Sequence, residues 1–268
     1  MSGATSLKDA PPGESLPQTS PSLGEEPAVA FAGVSLTFPN GTHAVESVSF
    51  SVRRGEFVSL LGPSGSGKST LLRLLAGFET PSAGSVQTNG ESLGYVFQDA
   101  TLLPWGSVLA NVELPGKLAG VPPEERRRRA LAAIGRVGLT GFEDHKPAQL
   151  SGGMRMRTSI ARMLTVEPRI FLFDEPFGAL DEITREKLNE EIAGMFALEP
   201  FAGLFVTHSV RESVFLSTRV LVLSPRPGRI AADVAIPFPY PRGPELQYTK
   251  EFTEVTAEVA RRLREVSR

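Results

Sequence analysis

Cysteine is absent from all 268 residues of the chain. That one absence excludes disulfides, zinc ribbons, iron–sulfur ligation and a thiol nucleophile together. Histidine is scarce, with three copies; His43 and His145 sit in turn-like contexts with no companion at metal-ligand spacing. Charge of one sign is not in excess, since 28 basic against 30 acidic residues leave −2. No global basic field therefore argues for nucleic acid. "EERRRR" at 124–129 reads instead as a charged helix face carrying i,i+4 Glu–Arg pairs. Long apolar runs are missing too. "IFLFD" and "VLVL" are strand length, far short of the ~20 residues that span a bilayer. Residues 1–27 lack the apolar stretch of a secretory signal, and their Pro, Ser, Gly and Glu read as a disordered leader. The expectation is a soluble intracellular chain whose 41% hydrophobic content is enough to bury a real core.

What is present begins near Ala28. "AVAFAGVSLTF" alternates apolar with small or polar residues, "PNG" supplies a turn, and "AVESVSFSV" follows, which predicts an antiparallel β region. "FVSLLG", "PSGSG" and "KSTLLRLLAGF" then read as strand, Gly-rich loop and helix. From about Thr101 to Val137 the pattern turns to helices and Pro-containing loops. Beyond it, "MRTSIARMLTVEP", "TREKLNEEIAGMFAL" and "RESVFLS" read as helices, with "RIFLFDE", "GLFVTH" and "RVLVLS" as strands between and after them. Alternation of this kind predicts a parallel α/β sheet, interrupted by an inserted helical subdomain.

The chemistry starts at "GPSGSGKST", residues 62–70, which fits G-x-x-x-x-G-K-S in full. Gly65 and Gly67 let the backbone wrap phosphate oxygens, whose charge is met by successive N–H groups and a helix N-terminus. Lys68 can reach the β- and γ-phosphates, and the Ser69 hydroxyl can ligate Mg²⁺. Asp174 ends a buried strand, where open α/β sheets place ligand chemistry, and suits the same metal. Glu175 beside it is placed to orient or deprotonate an attacking water. Gln98, Asp181 and His208 fall at or just beyond strand ends on the same edge. "QLSGGMRMR" at 149–157 poses a puzzle: Ser151 heads a second helix, carrying Arg155, Arg157 and Arg162, that is equipped to hold a second anion.

Taken together and in order, "GPSGSGKST", Gln98, "LSGGM", "FLFDE", "GALD" and His208 resemble an ABC-transporter ATPase subunit over roughly residues 28–235. "VFQDATLLPWGSVLANV", "DEPFGALD" and "LVLSPRPGRI" further resemble the importer ATPases for nitrate, sulfonate, taurine and related solutes, pyrimidine precursors included. The resemblance implies a P-loop NTPase (RecA-like) core with a helical subdomain at about 100–157 and a Pro-rich connector plus closing helix at 236–268. It implies ATP and Mg²⁺ as ligands. Gly62, Pro63, Ser64, Gly65, Ser66, Gly67, Lys68, Ser69 and Thr70 would bind the phosphates, with Ser69, Gln98 and Asp174 at the metal. Glu175, His208, Lys68 and Gln98 would carry hydrolysis, and Phe38 would stack on adenine.

It also implies an answer to the puzzle: two copies pair head to tail, so that Ser151, Gly152 and Gly153 serve the partner's nucleotide and Asp181 shapes the contact beside it. Met154 and Met156 depart from the usual Gln, which removes a side-chain hydrogen bond but leaves Ser151 and both glycines. The family further implies a separate membrane permease, met by a surface including Leu103 and Trp105, an external solute-binding protein, and a place on the cytoplasmic face of the inner membrane. The alternative from another class, an ABC ATPase of DNA repair or translation, usually brings long coiled-coil insertions or tandem cassettes. This chain has neither.

Overall fold

The computed structural model describes residues 26–178 and 180–266; the expected leader falls outside them except for its last two positions. β1 (Val29–Thr37) and β2 (His43–Val52) pair antiparallel around a turn in which Gly41 N–H donates to Phe38 O, and Phe31 stacks on Phe50 at 4.5 Å. β3 (Phe57–Leu61) leads into α1 (Lys68–Leu75), which stops at Leu75, three residues short of the expected end, where Gly77 turns the chain at φ +74. β4 (Ala83–Gln87) then pairs antiparallel with the other side of β1, giving a three-stranded sheet in the order β2-β1-β4.

The larger sheet has the order β5-β6-β7-β3-β8-β9. Its members are β5 (Leu93–Val96), β6 (Ile170–Asp174), β7 (Ala202–Thr207), β3, β8 (Arg219–Leu223) and β9 (Ile230–Ala235). The first five run parallel, as the alternating pattern predicts, and β9, a strand that pattern does not mark, adds an antiparallel edge beside β8. Both faces of the central strands are buried, which is why they read as unbroken apolar runs. Their side chains still alternate. Phe57, Phe173, Phe205 and Val222 face one core, while Val58, Leu172, Leu204 and Leu221 face the other with Leu71, Leu72 and Leu75 of α1.

The phenylalanine face is covered by α2 (Val108–Leu118), α3 (Pro123–Arg136), α4 (Gly152–Leu164), α5 (Glu182–Leu198) and α6 (Val210–Leu216). In α5 the buried residues Leu188, Ile192, Ala193 and Phe196 form one helical stripe. α7 (Lys250–Val266) closes the molecule with Phe252 and Val259, both fully buried in the same core. Because the parallel strands share one direction, the carboxyl ends of β3, β5, β6 and β7 bring residues 62, 98, 174–175 and 207–208 to a single edge.

Candidate functional site

The phosphate loop leaves β3 at Gly62 and enters α1 at Lys68. Gly67 takes φ +88, and a Cβ there would lie 2.4 Å from Val45 Cγ1 and 2.9 Å from Ala44 O, so only glycine fits. Lys68 is 5% exposed and donates to Gly62 O at 2.9 Å and Pro63 O at 3.0 Å. Burial lowers its pKa, while the Glu175 and Asp174 charges oppose that shift. Ser66 N–H donates to Pro63 O at 3.2 Å; its own hydroxyl is buried with no partner among the described residues. Ser64, Gly65, Gly67, Lys68, Ser69 and Thr70 line a cavity of about 210 Å³ whose remaining walls are Phe38, Ala44, Glu175 and Arg226. Phe38, half-buried just past β1, thus stands over the same space as the loop.

Asp174 ends β6 with both oxygens engaged. Ser69 Oγ donates to Oδ1 at 2.6 Å and Tyr95 Oη donates to Oδ2 at 2.9 Å. Tyr95, inside β5, belongs to none of the sequence motifs. It stacks on Phe97 at 4.2 Å, and burial first, then the Asp174 charge, raise its phenol pKa. At Glu175 the backbone passes through φ +46, a left-handed value costly for a residue with a Cβ, and its N–H is pinned to Val206 O at 3.0 Å. Glu175 Oε2 lies 3.4 Å from His208 Nδ1. A Cβ added at Gly178 would sit 3.8 Å from Gln98 Nε2 and 4.0 Å from Glu175 Oε2, so amide and carboxylate flank one backbone point. The His208 turn is held from below: Ser209 N–H donates to Thr207 Oγ1 at 2.9 Å, and Thr207 Oγ1 donates to the buried Glu212.

The segment headed by Ser151 lies elsewhere; Ser151, Gly152 and Gly153 are not among the walls of the cavity. Ser151 is the N-cap of α4, its Oγ accepting from Met154 N–H at 3.2 Å. The three arginines of that helix do not converge on an anion, which corrects their reading from sequence. Arg155 donates to Leu150 O at 2.6 Å, Arg157 pairs with Glu191, and Arg162 donates to Ala100 O and Thr101 O, each at 2.9 Å. A Cβ at Gly153 would fall 2.4 Å from Thr184 Cγ2, and one at Gly152 3.2 Å from Leu180 Cδ2. The start of α5 thus leaves no room for a side chain at Gly153, while at Gly152 the end of the Leu180 side chain would have to give way. Asp181 caps that helix, accepting from Thr184 N–H at 3.0 Å and Thr184 Oγ1 at 2.8 Å, and these bonds lower its pKa.

Away from this edge, Arg128 and Arg129 both pair with Glu125 on the exposed side of α3. Trp105 is 73% exposed, on a loop whose carbonyls are gathered by fully buried Asn111, which donates to Leu103 O, Gly106 O and Ser107 O.

Residues 45–178 match the family model described as ABC transporter. The taurine import ATP-binding protein TauB of Yersinia pestis bv. Antiqua (strain Antiqua) is 47% identical over 205 residues, covering 74% of this chain and 80% of that protein. An uncharacterized ABC transporter ATP-binding protein, MJ0412 of Methanocaldococcus jannaschii, is 46% identical over 210 residues, covering 76% and 79%. Among solved structures, the dimeric structure of MJ0796, a bacterial ABC transporter cassette, is similar with a TM-score of 0.69 and 33% identity, covering 80% of this chain and 99% of that one. CbiO1 from Clostridium perfringens, part of the ABC transporter complex cbiONQ, has a TM-score of 0.72 and 25% identity over 88% and 97%. A phosphate loop and an acid-ended strand inside the family match, aligned with relatives over three quarters of the sequence, leave one placement: this chain belongs to the ABC transporter family, as one of its ATP-hydrolysing, ATP-binding cassettes.

Proposed function

We propose that this chain is the ATPase subunit of an importer for a small solute of the nitrate, sulfonate, taurine and pyrimidine-precursor class, with taurine favoured by the TauB relatives. It would work on the cytoplasmic face of the membrane, bound to a separate permease that an external solute-binding protein feeds. No helix among the described residues is long and apolar enough to cross a membrane. Residues 28–235 form the ATPase domain of this reading, with the helical subdomain at about 100–157 and 236–268 as connector and closing helix.

The observation that carries the catalytic reading is the convergence on one sheet edge of buried Lys68, the 2.6 Å Ser69–Asp174 pair and the 3.4 Å Glu175–His208 pair. Lys68 exchanges its two loop carbonyls for phosphate oxygens, and the loop N–H groups meet the remaining charge. Glu175 orients a water and takes its proton, while His208 steadies the γ-phosphate and Gln98 reports the state of the site toward the permease. Ser69 and Asp174 offer the hard oxygen donors that Mg²⁺ prefers, and with Gln98 would hold it beside substrate phosphates. When bound, that ion neutralises charge developing on the transferred phosphoryl group. Ser151, Gly152 and Gly153 would contact the nucleotide of a second copy, with Asp181 beside that contact, closing the dimer around two nucleotides. Trp105 and Leu103 form the apolar surface offered to the permease.

The test is isolation of the protein from its native membrane in mild detergent. Recovery with a polytopic permease, and a solute-binding protein that takes up taurine or another solute of this class, supports the reading. Recovery free of any membrane protein, on ribosomes or DNA, sinks it.

A further inference from the structure

The hairpin loop "SPRPGR", residues 224–229, lies against the phosphate loop. Ser224 N–H donates to Arg229 O at 3.0 Å, and Ser224 Oγ donates to Pro225 O at 3.0 Å and Pro227 O at 3.2 Å. The turn is also clamped from outside. Gly228 N–H donates to Ala44 O and Glu46 N–H donates to Gly228 O, both at 2.9 Å, while Arg229 pairs with Glu46 at 2.7 Å. A Cβ at Gly228 would lie 1.9 Å from Ser66 O, so glycine alone lets the hairpin sit this close. From that platform Arg226 extends across the loop: Nε donates to Gly65 O at 3.2 Å, and Nη2 would be 3.2 Å from a Cβ at Gly65. Its guanidinium is a wall of the cavity that also holds Phe38, Lys68 and Thr70. Among the described residues this is its only side-chain hydrogen bond, and no carboxylate pairs with it. An exposed guanidinium on a clamped turn, tied to Gly65 O through Nε and with two NH₂ groups uncommitted at the mouth of a phosphate site, is matched to an anionic oxygen pair.

We propose that Arg226 is a nucleotide-binding residue: its terminal NH₂ groups donate to phosphate oxygens of the nucleoside triphosphate held by its own chain's loop. This rests on the reading of residues 62–70 as the ATP site. Arg226 supplies the loop with a second side-chain cation besides Lys68, brought in from the far end of β8.

The test is calorimetric titration of the full-length protein with MgATP and MgADP at several salt concentrations, for the parent, Arg226→Gln, Arg226→Lys and Lys68→Ala. Arg226→Gln is expected to raise the Kd for MgATP about tenfold, the scale of one hydrogen bond to a charged group. It also makes the fall of affinity with salt shallower, because one screened cation–phosphate attraction is gone. Arg226→Lys keeps the salt dependence and loses part of the affinity. A purely structural role for Arg226 would leave the salt dependence at its parental slope, and that result overturns the proposal. So does MgATP binding within twofold of the parent while Lys68→Ala binds poorly; the site then stands without Arg226. Undiminished binding by Lys68→Ala as well would reject the ATP site itself.

Discussion

Both carboxylate oxygens of Asp174 accept from hydroxyls, one from Ser69 and one from Tyr95. Tyr95→Phe keeps the ring stacked on Phe97 and removes only the second bond. The expected result is a three- to tenfold rise, roughly one ordinary hydrogen bond's worth, in the Mg²⁺ concentration for half-maximal ATP hydrolysis, read from a metal titration of turnover. A parental titration curve would show that Tyr95 is packing alone. Glu212 gives a second prediction at this scale. Burial raises its pKa from the ordinary 4.5, against the opposing bond from Thr207 and charge of Arg185. The folded state then holds that proton more tightly than the unfolded chain. Its contribution is fully present below about pH 4.5 and is lost as pH rises through the higher folded value. Glu212→Gln should therefore flatten the part of the Tm-against-pH curve that descends above pH 4.5, followed by thermal melts across pH; an unchanged curve contradicts this. The motif residues were legible because their chemistry demands fixed spacing. Tyr95 was not, since an aromatic inside a strand reads as core, and Arg226 was not, since nothing local ties residue 226 to residue 65.

α4 and α5 meet through glycine at the segment headed by Ser151. Gly153→Ala puts a methyl 2.4 Å from Thr184 Cγ2, an overpacking expected to cost about 1–3 kcal/mol, measured by urea unfolding. Gly153→Ala/Thr184→Ser removes the clashing methyl, keeps the hydroxyl that bonds Asp181, and should recover most of that stability. The methyl at Gly153 points at α5, so turnover is expected to return with stability in the double variant. Turnover that stayed low in a stable double variant would show that Gly153 acts beyond intrachain packing. Elements with a fully apolar or clearly periodic sequence were readable, β3, β6 and α5 among them. β4 was missed because "AGSVQ" is largely exposed and offers only Val86 as a large apolar residue. β9 was missed because "IAADVA" is a half-exposed edge that alternates too weakly to announce its direction. The arginines of α4 misled because sequence shows their charge but not their partners, which are carbonyls of the Gln98 loop, Leu150 O and a carboxylate on α5.

On the scale of the molecule, one buried side chain ties the C-terminal connector to the core. Arg242, 6% exposed, donates to Val214 O at 3.1 Å, Phe215 O at 2.6 Å and Ser217 O at 3.0 Å, satisfying carbonyls where α6 ends. It also lies over the Tyr240 ring at 4.1 Å. Arg242→Ala leaves those carbonyls buried without a donor, at a cost of about 2–4 kcal/mol, visible as a lower Tm; a melt at the parental temperature would contradict the bracing role. The sequence marked 236–268 as connector and helix but carried no sign of this brace, which depends on carbonyls about 25 residues upstream. The parallel α/β plan was legible, by contrast, because β–α alternation constrains topology. In the proposed mechanism the site at β3, β6 and β7 is completed by the Ser151 segment of a second copy. The most direct test is the molar mass of Glu175→Gln by light scattering, with and without MgATP. A nucleotide-dependent dimer that fails to turn ATP over, and that Ser151→Arg prevents from forming, is the predicted result. A monomer that binds MgATP without pairing, or ATP hydrolysis near the parental rate in Glu175→Gln, would contradict it.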